Sequence, residues 1–142
     1  MYNKVIAAGI IAIDISTGKI LLIRRGMNCN SPNCWSSPGG TYEDSDKHPM
    51  ITAIREFQEE TGCKETMKLS KTPFFINKNN HINFYNYVAL LKNQFHVIIN
   101  DESLGYEWAS LDKLPLNLHP GFEEMINLKI CDLNNIINQN LL

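Results

Sequence analysis

Residues 39–63 read Gly-Gly-Thr-Tyr-Glu-Asp-Ser-Asp-Lys-His-Pro-Met-Ile-Thr-Ala-Ile-Arg-Glu-Phe-Gln-Glu-Glu-Thr-Gly-Cys, a stretch that joins a paired glycine to an acidic run. Within it, apolar and small residues return at i, i+4, i+7 and i+11, which are Met50, Ile54, Phe57 and Thr61. That spacing is typical of one face of an amphipathic helix. It predicts a helix over about residues 48–61, with the acids near its C-terminal end.

Local signals support both ends of this helix. Ser45 or Asp46 is the predicted N-cap, because a short polar side chain there accepts a hydrogen bond from the first free backbone N–H groups. Pro49 suits the first turn, and Gly62 is a typical C-terminal stop.

Three carboxylates, Glu56, Glu59 and Glu60, share one edge of the predicted helix. At about 100° per residue they fall within an arc of roughly 100°, beside the apolar face. Their repulsion costs roughly a few tenths of a kcal/mol for each pair, and the helix dipole also disfavours negative charge at this end. The edge is therefore either a solvated acidic helix end or a site for a divalent cation. Hard oxygen donors of this kind suit Mg²⁺ or Mn²⁺ rather than zinc.

A turn of Pro38, Gly39 and Gly40 precedes the helix, and paired glycines let the backbone approach a metal or a phosphate closely. The order of glycine turn, acidic loop and helix ending Arg-Glu-x-x-Glu-Glu-x-Gly is more specific than any of its parts. Residues 40–63 resemble the signature of the Nudix hydrolases, G-x5-E-x7-R-E-U-x-E-E-x-G-U, where U is a bulky apolar residue. The second half of that signature is matched by Arg55, Glu56, Phe57, Glu59, Glu60, Gly62 and Cys63.

The resemblance extends along most of the chain. Residues 21–25 resemble the second strand of the family, Trp35 with residues 38–40 resembles the entry to the signature, and residues 107–115 resemble its late strand and turn. The residue patterns predict strands over residues 5–14, 20–23, 72–76, 82–91, 95–99 and 107–109, and a second helix over about 122–138. We therefore expect an α/β (α+β) fold, a Nudix-like α/β/α sandwich with a central mixed β-sheet, in a single domain over residues 1–142.

One departure from the signature lies before the helix. The family has Glu six residues after the glycine and Arg eight residues later, whereas here Asp46 is six residues after Gly40 and Arg55 is nine residues after Asp46. The shorter acid and the extra residue near Lys47 leave two alternatives open: the loop either keeps or loses the acid–arginine contact that braces it on the helix in the family. The spacing of the three glutamates is unaffected.

The resemblance implies metal-dependent hydrolysis of the pyrophosphate bond of a nucleoside diphosphate-linked substrate, with Mg²⁺ or Mn²⁺ as cofactor. The expected substrate is a (deoxy)nucleoside triphosphate or a modified nucleotide. The sequence patterns typical of relatives that act on dinucleotide cofactors or coenzyme A are not found in the chain. Two alternatives stay open: a non-catalytic nucleotide-sensing module, and an RNA cap or dinucleotide pyrophosphohydrolase.

The resemblance also implies residue roles. Glu56 and Glu60 would hold the metal together with the carbonyl of Gly39, and Glu59 would complete or bridge the site. Glu56 would also take the proton of the attacking water, and Arg55 would orient Glu59.

Further positions are suggested outside the helix. Glu102 stands six residues before Trp108, as an extra carboxylate does in many relatives, so it is either a metal ligand, an alternative base or a solvated loop acid. Arg25 is the predicted phosphate contact and Arg24 the second choice, the alternative for both being a surface charge. Trp35 either stacks on a base or packs in the protein, and Gly40 is expected beside the substrate.

The composition and net charge exclude some classes of binding partner. The chain has 142 residues, is 44% hydrophobic and 20% charged, and carries a formal charge of -2. These values exclude a disordered chain and a protein that holds long nucleic acid by bulk positive charge, so nucleic acid is expected only as capped RNA. The expected partner is a small nucleotide, and the protein is expected to be a monomer or a homodimer.

The same sequence predicts the compartment. No apolar stretch approaches the roughly 18–20 residues that span a bilayer, so no membrane contact is expected. The four cysteines lack the dense spacing of a disulfide framework and are interpreted as reduced thiols, so we expect a cytoplasmic protein.

Overall fold

The computed structural model describes residues 3–142, and in that range eight strands form one mixed β-sheet. The strands are β1 (Val5–Asp14), β2 (Lys19–Arg25), β3 (Trp35–Ser36), β4 (Gly39–Thr41), β5 (Lys68–Leu69), β6 (Phe75–Lys78), β7 (Ile82–Leu91) and β8 (Ser103–Ala109). Two α-helices accompany the sheet, α1 (Pro49–Thr61) and α2 (Pro120–Gln139).

The parallel pair β1–β7 forms the centre of the sheet. It runs in register from Val5 opposite Ile82 to Asp14 opposite Leu91, and the other strand pairs are antiparallel. The main order is β3-β2-β1-β7-β5, with β4 against β1, β6 against β7 and β8 against β2. Strand β4 therefore brings the glycine turn directly beside the central strand.

Alternate residues of the central strands build two cores, one on each face. Ala8 and Ile10 of β1 face the cluster that contains Phe57 of α1, whereas Ile11 and Ile13 face the cluster that contains Met125 of α2. This alternation follows from the two-residue period of a strand, and a sheet covered by helices on both faces is buried on both. The predicted α/β/α sandwich with a mixed sheet is confirmed.

Most predicted elements agree with the structure. The central strands have the predicted bounds 5–14 and 82–91, and both helices match within two residues at each end. The strand predicted over 72–76 is β6, three residues later at its start, and the loop predicted over 26–40 contains the short strands β3 and β4. Within residues 3–142, neither helix has the length and apolar composition required to cross a membrane.

The strand predicted over residues 95–99 is wrong. This segment connects β7 to β8 without strand pairing. Most of its apolar residues nevertheless pack against the core. The Phe95 ring lies edge-on to Phe57 and Trp108, with ring centroids 6.1 and 5.6 Å apart, and Val97 is buried. Alternating apolar residues thus secure a loop to the core, because no neighbouring strand is available to pair with it.

Candidate active site

An open cavity of about 460 Å³ lies where α1, the glycine turn and the ends of β2 and β8 meet. Four elements from distant parts of the chain contribute to it, so it exists only once the sheet has formed. Its lining consists of Ile23, Arg25, Cys29, Ser36, Ser37, Gly39, Gly40, Thr41, Glu43, Glu56, Glu60, Glu102 and Ser103. Four predicted functional residues outside α1 and two within it are among these, namely Arg25, Gly39, Gly40 and Glu102, and Glu56 and Glu60.

Glu60 is the most deeply placed acid of the cavity. Its Oε2 accepts a hydrogen bond of 2.7 Å from the backbone N–H of Gly39, which links the end of α1 to the glycine turn. Burial, with the negative charges of Glu56 and Glu102, raises the pKa of Glu60 to about 8, against the opposing effects of Gly39 and Arg25. Without a cation the carboxyl group therefore holds its proton at neutral pH.

Glu56 lies against the other glycine of the turn. A Cβ atom at Gly40 would stand 2.5 Å from Oε2 of Glu56, so any larger residue there would force this carboxylate to move. Burial raises the pKa of Glu56, while a hydrogen bond of 3.0 Å from Arg55 to Oε1 acts to lower it. The paired glycines thus have separate uses, since Gly39 donates to Glu60 and Gly40 makes space for Glu56.

Arg55 connects the helix to the loop before it. Its Nε and Nη2 atoms lie 2.9 and 3.0 Å from the two oxygens of Asp46, and Nη2 also donates to the carbonyl of Thr41. The Arg55 guanidinium holds the pKa of the buried Asp46 carboxyl well below its usual range. Arg55 also lies 3.4 Å from Glu59, so the predicted orientation of Glu59 is one of several contacts it makes.

The acid–arginine contact, which the sequence left open, is therefore present in the structure. The chain turns at Lys47 with a left-handed φ of 68°, and this turn accommodates the extra residue before the helix. Asp46 consequently ends a short 3₁₀ turn (Asp44–Asp46) and faces back toward Arg55. The predicted N-caps Ser45 and Asp46 lie in this turn, and the cap of α1 is His48, whose Nδ1 accepts from Met50 N–H at 3.0 Å.

Two of the remaining predicted residues reach the cavity from the sheet. Glu102 lines it from the loop before β8, and Arg25 lines it from the end of β2. The Nε atom of Arg25 donates to the carbonyl of Asn30 at 2.7 Å, which fixes the guanidinium in the cavity wall. Among the described residues 3–142, Arg25 is therefore the one Arg or Lys side chain in the lining of this cavity.

Four predicted residues do not line the cavity, namely Arg55, described above, and Glu59, Arg24 and Trp35. The Glu59 side chain is 54% exposed and pairs with Arg55. Arg24 faces the opposite side of the sheet from Arg25, because neighbouring strand residues point in opposite directions, and its buried Nε has no hydrogen-bond partner within residues 3–142. Trp35 packs against the core below α2, so base stacking by Trp35 and a phosphate contact by Arg24 are not supported.

The structure adds lining residues that sequence reasoning did not select. Glu43 is an exposed acid 3.8 Å from Arg55, and Cys29 lies with its Sγ 3.7 Å from the carbonyl of Glu102. Ser36 lines the cavity from β3. Glu43 stands in the acidic loop three residues after Gly40, which is the one sequence signal that pointed to it.

The donor set fits a hard divalent cation. Within the described residues 3–142, no three His, Cys, Asp or Glu side chains are arranged to hold a metal ion. Mg²⁺, however, usually keeps several waters and binds through one or two carboxylates and the substrate phosphates. Glu56 and Glu60 supply those carboxylates, and the raised pKa of buried Glu60 is the electrostatic cost that a cation would remove.

Comparison with known proteins agrees with this site. The sequence model of the NUDIX domain matches residues 3–128, and the chain therefore belongs to the NUDIX domain family. Its enzyme class is that of the Nudix pyrophosphohydrolases, as the signature predicted. No curated protein matches the sequence significantly.

Solved structures share the fold at low sequence identity. RenU, a Nudix hydrolase from M. smegmatis, has 21% identity and a TM-score of 0.79, with 96% of this chain and 89% of that chain covered. The MutT protein from Methanosarcina mazei Go1 has 21% identity and a TM-score of 0.71, with 93% and 98% covered. A bifunctional NMN adenylyltransferase/ADP ribose pyrophosphatase from Francisella tularensis, complexed with AMP and a Mn ion, has 16% identity and a TM-score of 0.66, with 94% and 43% covered.

Proposed function

We propose that this protein hydrolyses the pyrophosphate bond of a (deoxy)nucleoside triphosphate or a modified nucleotide, with Mg²⁺ or Mn²⁺ as cofactor. The observation that carries the proposal is one cavity lined by Glu56, Glu60 and Arg25 together. Two carboxylates suit a divalent cation, and a guanidinium suits a phosphate. The Mn ion and AMP bound by the Francisella tularensis protein support the same ligand classes here.

In this proposal Glu56 and Glu60 hold the metal, with the carbonyl of Gly39 as a further ligand. A bound divalent ion would neutralise the phosphate oxygens and lower the pKa of the attacking water. Glu59 lies beside Arg55 and outside the cavity lining, so its role as a completing or bridging ligand is the least supported part of the set.

Glu56 also suits the role of general base. Arg55 donates to its Oε1, which orients the carboxylate beside Gly40, at the cavity. Its pKa is raised by burial, and a raised pKa strengthens a carboxylate as a proton acceptor near neutral pH. Glu102 is the alternative base or a further ligand, since it faces the same space.

Arg25 is the proposed phosphate contact. Its Nε is already bound to the carbonyl of Asn30, so the terminal amino groups are left to bind an anion. Gly40 lines the cavity with its backbone and is proposed to border the substrate.

The remaining parts of the proposal concern the whole chain. We propose one Nudix domain over residues 1–142 that acts on a small nucleotide as a monomer or a homodimer. All four cysteines are free thiols in the structure, which is compatible with the proposed cytoplasmic location.

A turnover screen tests the proposal. Release of phosphate or pyrophosphate is measured over a panel of nucleoside triphosphates, modified nucleotides, dinucleotides and capped RNA, with Mg²⁺, with Mn²⁺ and with chelator. We expect turnover on a nucleoside triphosphate that requires the cation and falls at least about 100-fold in Glu60→Gln. The matched control is Glu123→Gln, an exposed glutamate of α2, which should retain full turnover.

The other outcomes identify the alternatives. Tight nucleotide binding without turnover on any member of the panel would identify a sensing module. Turnover confined to capped RNA or to dinucleotides would replace the proposed substrate class and keep the metal chemistry. Full turnover in folded Glu60→Gln would contradict the proposed metal site.

A further inference from the structure

The loop that carries Glu102, residues 95–102, is attached to the C-terminal end of α1. Ile98 N–H donates to the carbonyl of Thr61 at 2.9 Å, and the Phe95 ring packs edge-on against Phe57 of the helix. This attachment places the loop at the same end of α1 as Glu60. The position of Glu102 therefore depends on how the loop is held there.

Asn100 makes the polar connection within this attachment. Its Nδ2 donates to the carbonyl of Glu59 at 3.4 Å, and its Oδ1 accepts from the N–H of Glu102 at 3.1 Å. The Asn100 carbonyl also accepts from Ser103 N–H at 3.2 Å. The Glu59 carbonyl is one of the last four of α1, which have no partner inside a helix, so Asn100 satisfies a free acceptor of the helix and the N–H of Glu102 together.

The other side of the Glu102 backbone is held by β2. Gly26 N–H donates to the carbonyl of Glu102 at 2.9 Å, and a Cβ atom at Gly26 would lie 2.5 Å from that oxygen. The amide of Glu102 is thus anchored to α1 through Asn100, and its carbonyl is anchored to the end of β2. These two anchors determine where the Glu102 side chain enters the cavity.

We propose that Asn100 is a positioning residue that sets the distance between Glu102 and the carboxylates of α1. The proposal rests on the proposed function, because it takes Glu102 as a group that acts on the bound metal. Asn100 itself does not line the cavity, so it acts through Glu102. Residues that orient metal ligands typically change metal affinity about 10–100-fold when they are replaced.

Binding of Mn²⁺ alone, followed by the electron paramagnetic resonance of the free ion without nucleotide, tests the proposal. We expect Asn100→Ala and Glu102→Gln each to weaken Mn²⁺ binding about 10-fold, and the double variant to bind no more weakly than Glu102→Gln. Asn100→Ala should also speed deuterium exchange at the Glu102 amide. Asn100→Ser, whose hydroxyl can accept from the N–H two residues on, should recover part of the Mn²⁺ affinity.

The controls separate positioning from general stability. Asn93→Ala, at an exposed asparagine in the turn after β7, should leave Mn²⁺ binding unchanged. Unchanged Mn²⁺ affinity in folded Asn100→Ala, even with a lower melting temperature, overturns the proposal, as do additive losses in the double variant. Unchanged affinity in Glu102→Gln also overturns it. None of these readouts requires turnover, so failure of the proposed function would appear separately, in the nucleotide screen with Glu60→Gln.

Discussion

Glu60 is a largely buried acid whose ionised form is unfavourable in the absence of a cation. It is adjacent to Glu56 on the helix edge, and Glu102 adds a third charge to the same cavity. Burial and these charges raise its pKa to about 8, and the single backbone donor at Gly39 only partly offsets them. A divalent cation would reverse the sign of the local field, which is the electrostatic reason for the metal site proposed here.

This raised pKa predicts how the stability of the metal-free protein depends on pH. Between the ordinary value of 4.5 and about 8, the folded state keeps the Glu60 proton while the unfolded state has lost it. Stability therefore falls as pH rises through this window, by roughly 1 kcal/mol for each pH unit. In chelator, the unfolding free energy of Glu60→Gln minus that of the wild type should increase from pH 5 to pH 8.

Glu123→Gln serves as the control for that comparison, because its side chain is exposed on α2. Its difference from the wild type should stay constant over the same pH range. A constant difference for Glu60→Gln as well would show that Glu60 titrates at its ordinary value.

Gly40 permits a second prediction at the scale of one residue. A methyl group at this position would meet the Glu56 carboxylate, with Oε2 at 2.5 Å, whereas a Cβ at Gly105 of β8 meets nothing within 4 Å. Gly40→Ala should therefore displace Glu56 and weaken Mn²⁺ binding about 10-fold or more. Gly105→Ala is the matched control for this measurement, and equal Mn²⁺ affinity in the two variants would contradict the prediction.

At the scale of the element, α1 depends on the loop before it. Arg55 joins the loop to the helix through Asp46 and the carbonyl of Thr41, and Thr52 donates to Asp46 at 2.8 Å. The loop places the glycine turn and α1 side by side, so the Gly39–Glu60 hydrogen bond depends on the same brace.

The lowered pKa of Asp46 makes this brace testable. Because its folded pKa lies below the ordinary 3.8, the carboxylate stabilises the fold at pH values above 3.8, and this contribution is lost as pH falls below that value. Asp46→Asn should be less stable than the wild type at pH 7, and the gap should narrow below about pH 4, in denaturant unfolding at each pH. Asp44→Asn, at an exposed residue of the same 3₁₀ turn, should show no such gap.

Helices and strands could be predicted from the sequence where the spacing of apolar residues repeats over several residues. The helices and the central strands have such periods, and residues 82–91 alternate between the two cores. The strands β3, β4 and β5 have only two or three residues each, and they form because a neighbouring strand is hydrogen-bonded to them. No local sequence pattern therefore predicts them. Residues 95–99 have an alternating pattern and still form a loop, since the alternation is satisfied by packing on Phe57 and Trp108.

At the scale of the whole molecule, the cavity unites segments that are far apart in the chain. Arg25, Glu60 and Glu102 come from β2, α1 and the loop before β8. A cation bound among them would connect these parts of the folded chain and would find no comparable site in the unfolded chain. If the proposed cation binds there, its binding and the global stability of the protein are coupled.

Thermal unfolding measures this coupling. Mg²⁺ or Mn²⁺ at about 100 times its dissociation constant should stabilise the wild type by about 2.7 kcal/mol relative to chelator. Glu60→Gln should lose most of this gain, because the variant lacks a carboxylate of the pair. A gain of the same size in the variant would place the stabilising cation elsewhere on the molecule.

The sequence alone determined the grouping of the three glutamates on one edge of a helix and the glycine turn before them. These are local facts, because the helical period sets the direction of each side chain around the axis. The family, the sandwich fold and the enzyme class followed from them and are confirmed.

Only the tertiary structure decided which of these groups share a cavity. It separated Glu60 from Glu59 and Arg25 from Arg24, pairs that are neighbours in sequence, and it retained the Asp46–Arg55 contact through the turn at Lys47. It also brought Asn100 between Glu59 and Glu102. Burial and hydrogen-bond partners come from distant segments of the chain, and a local period carries no information about them.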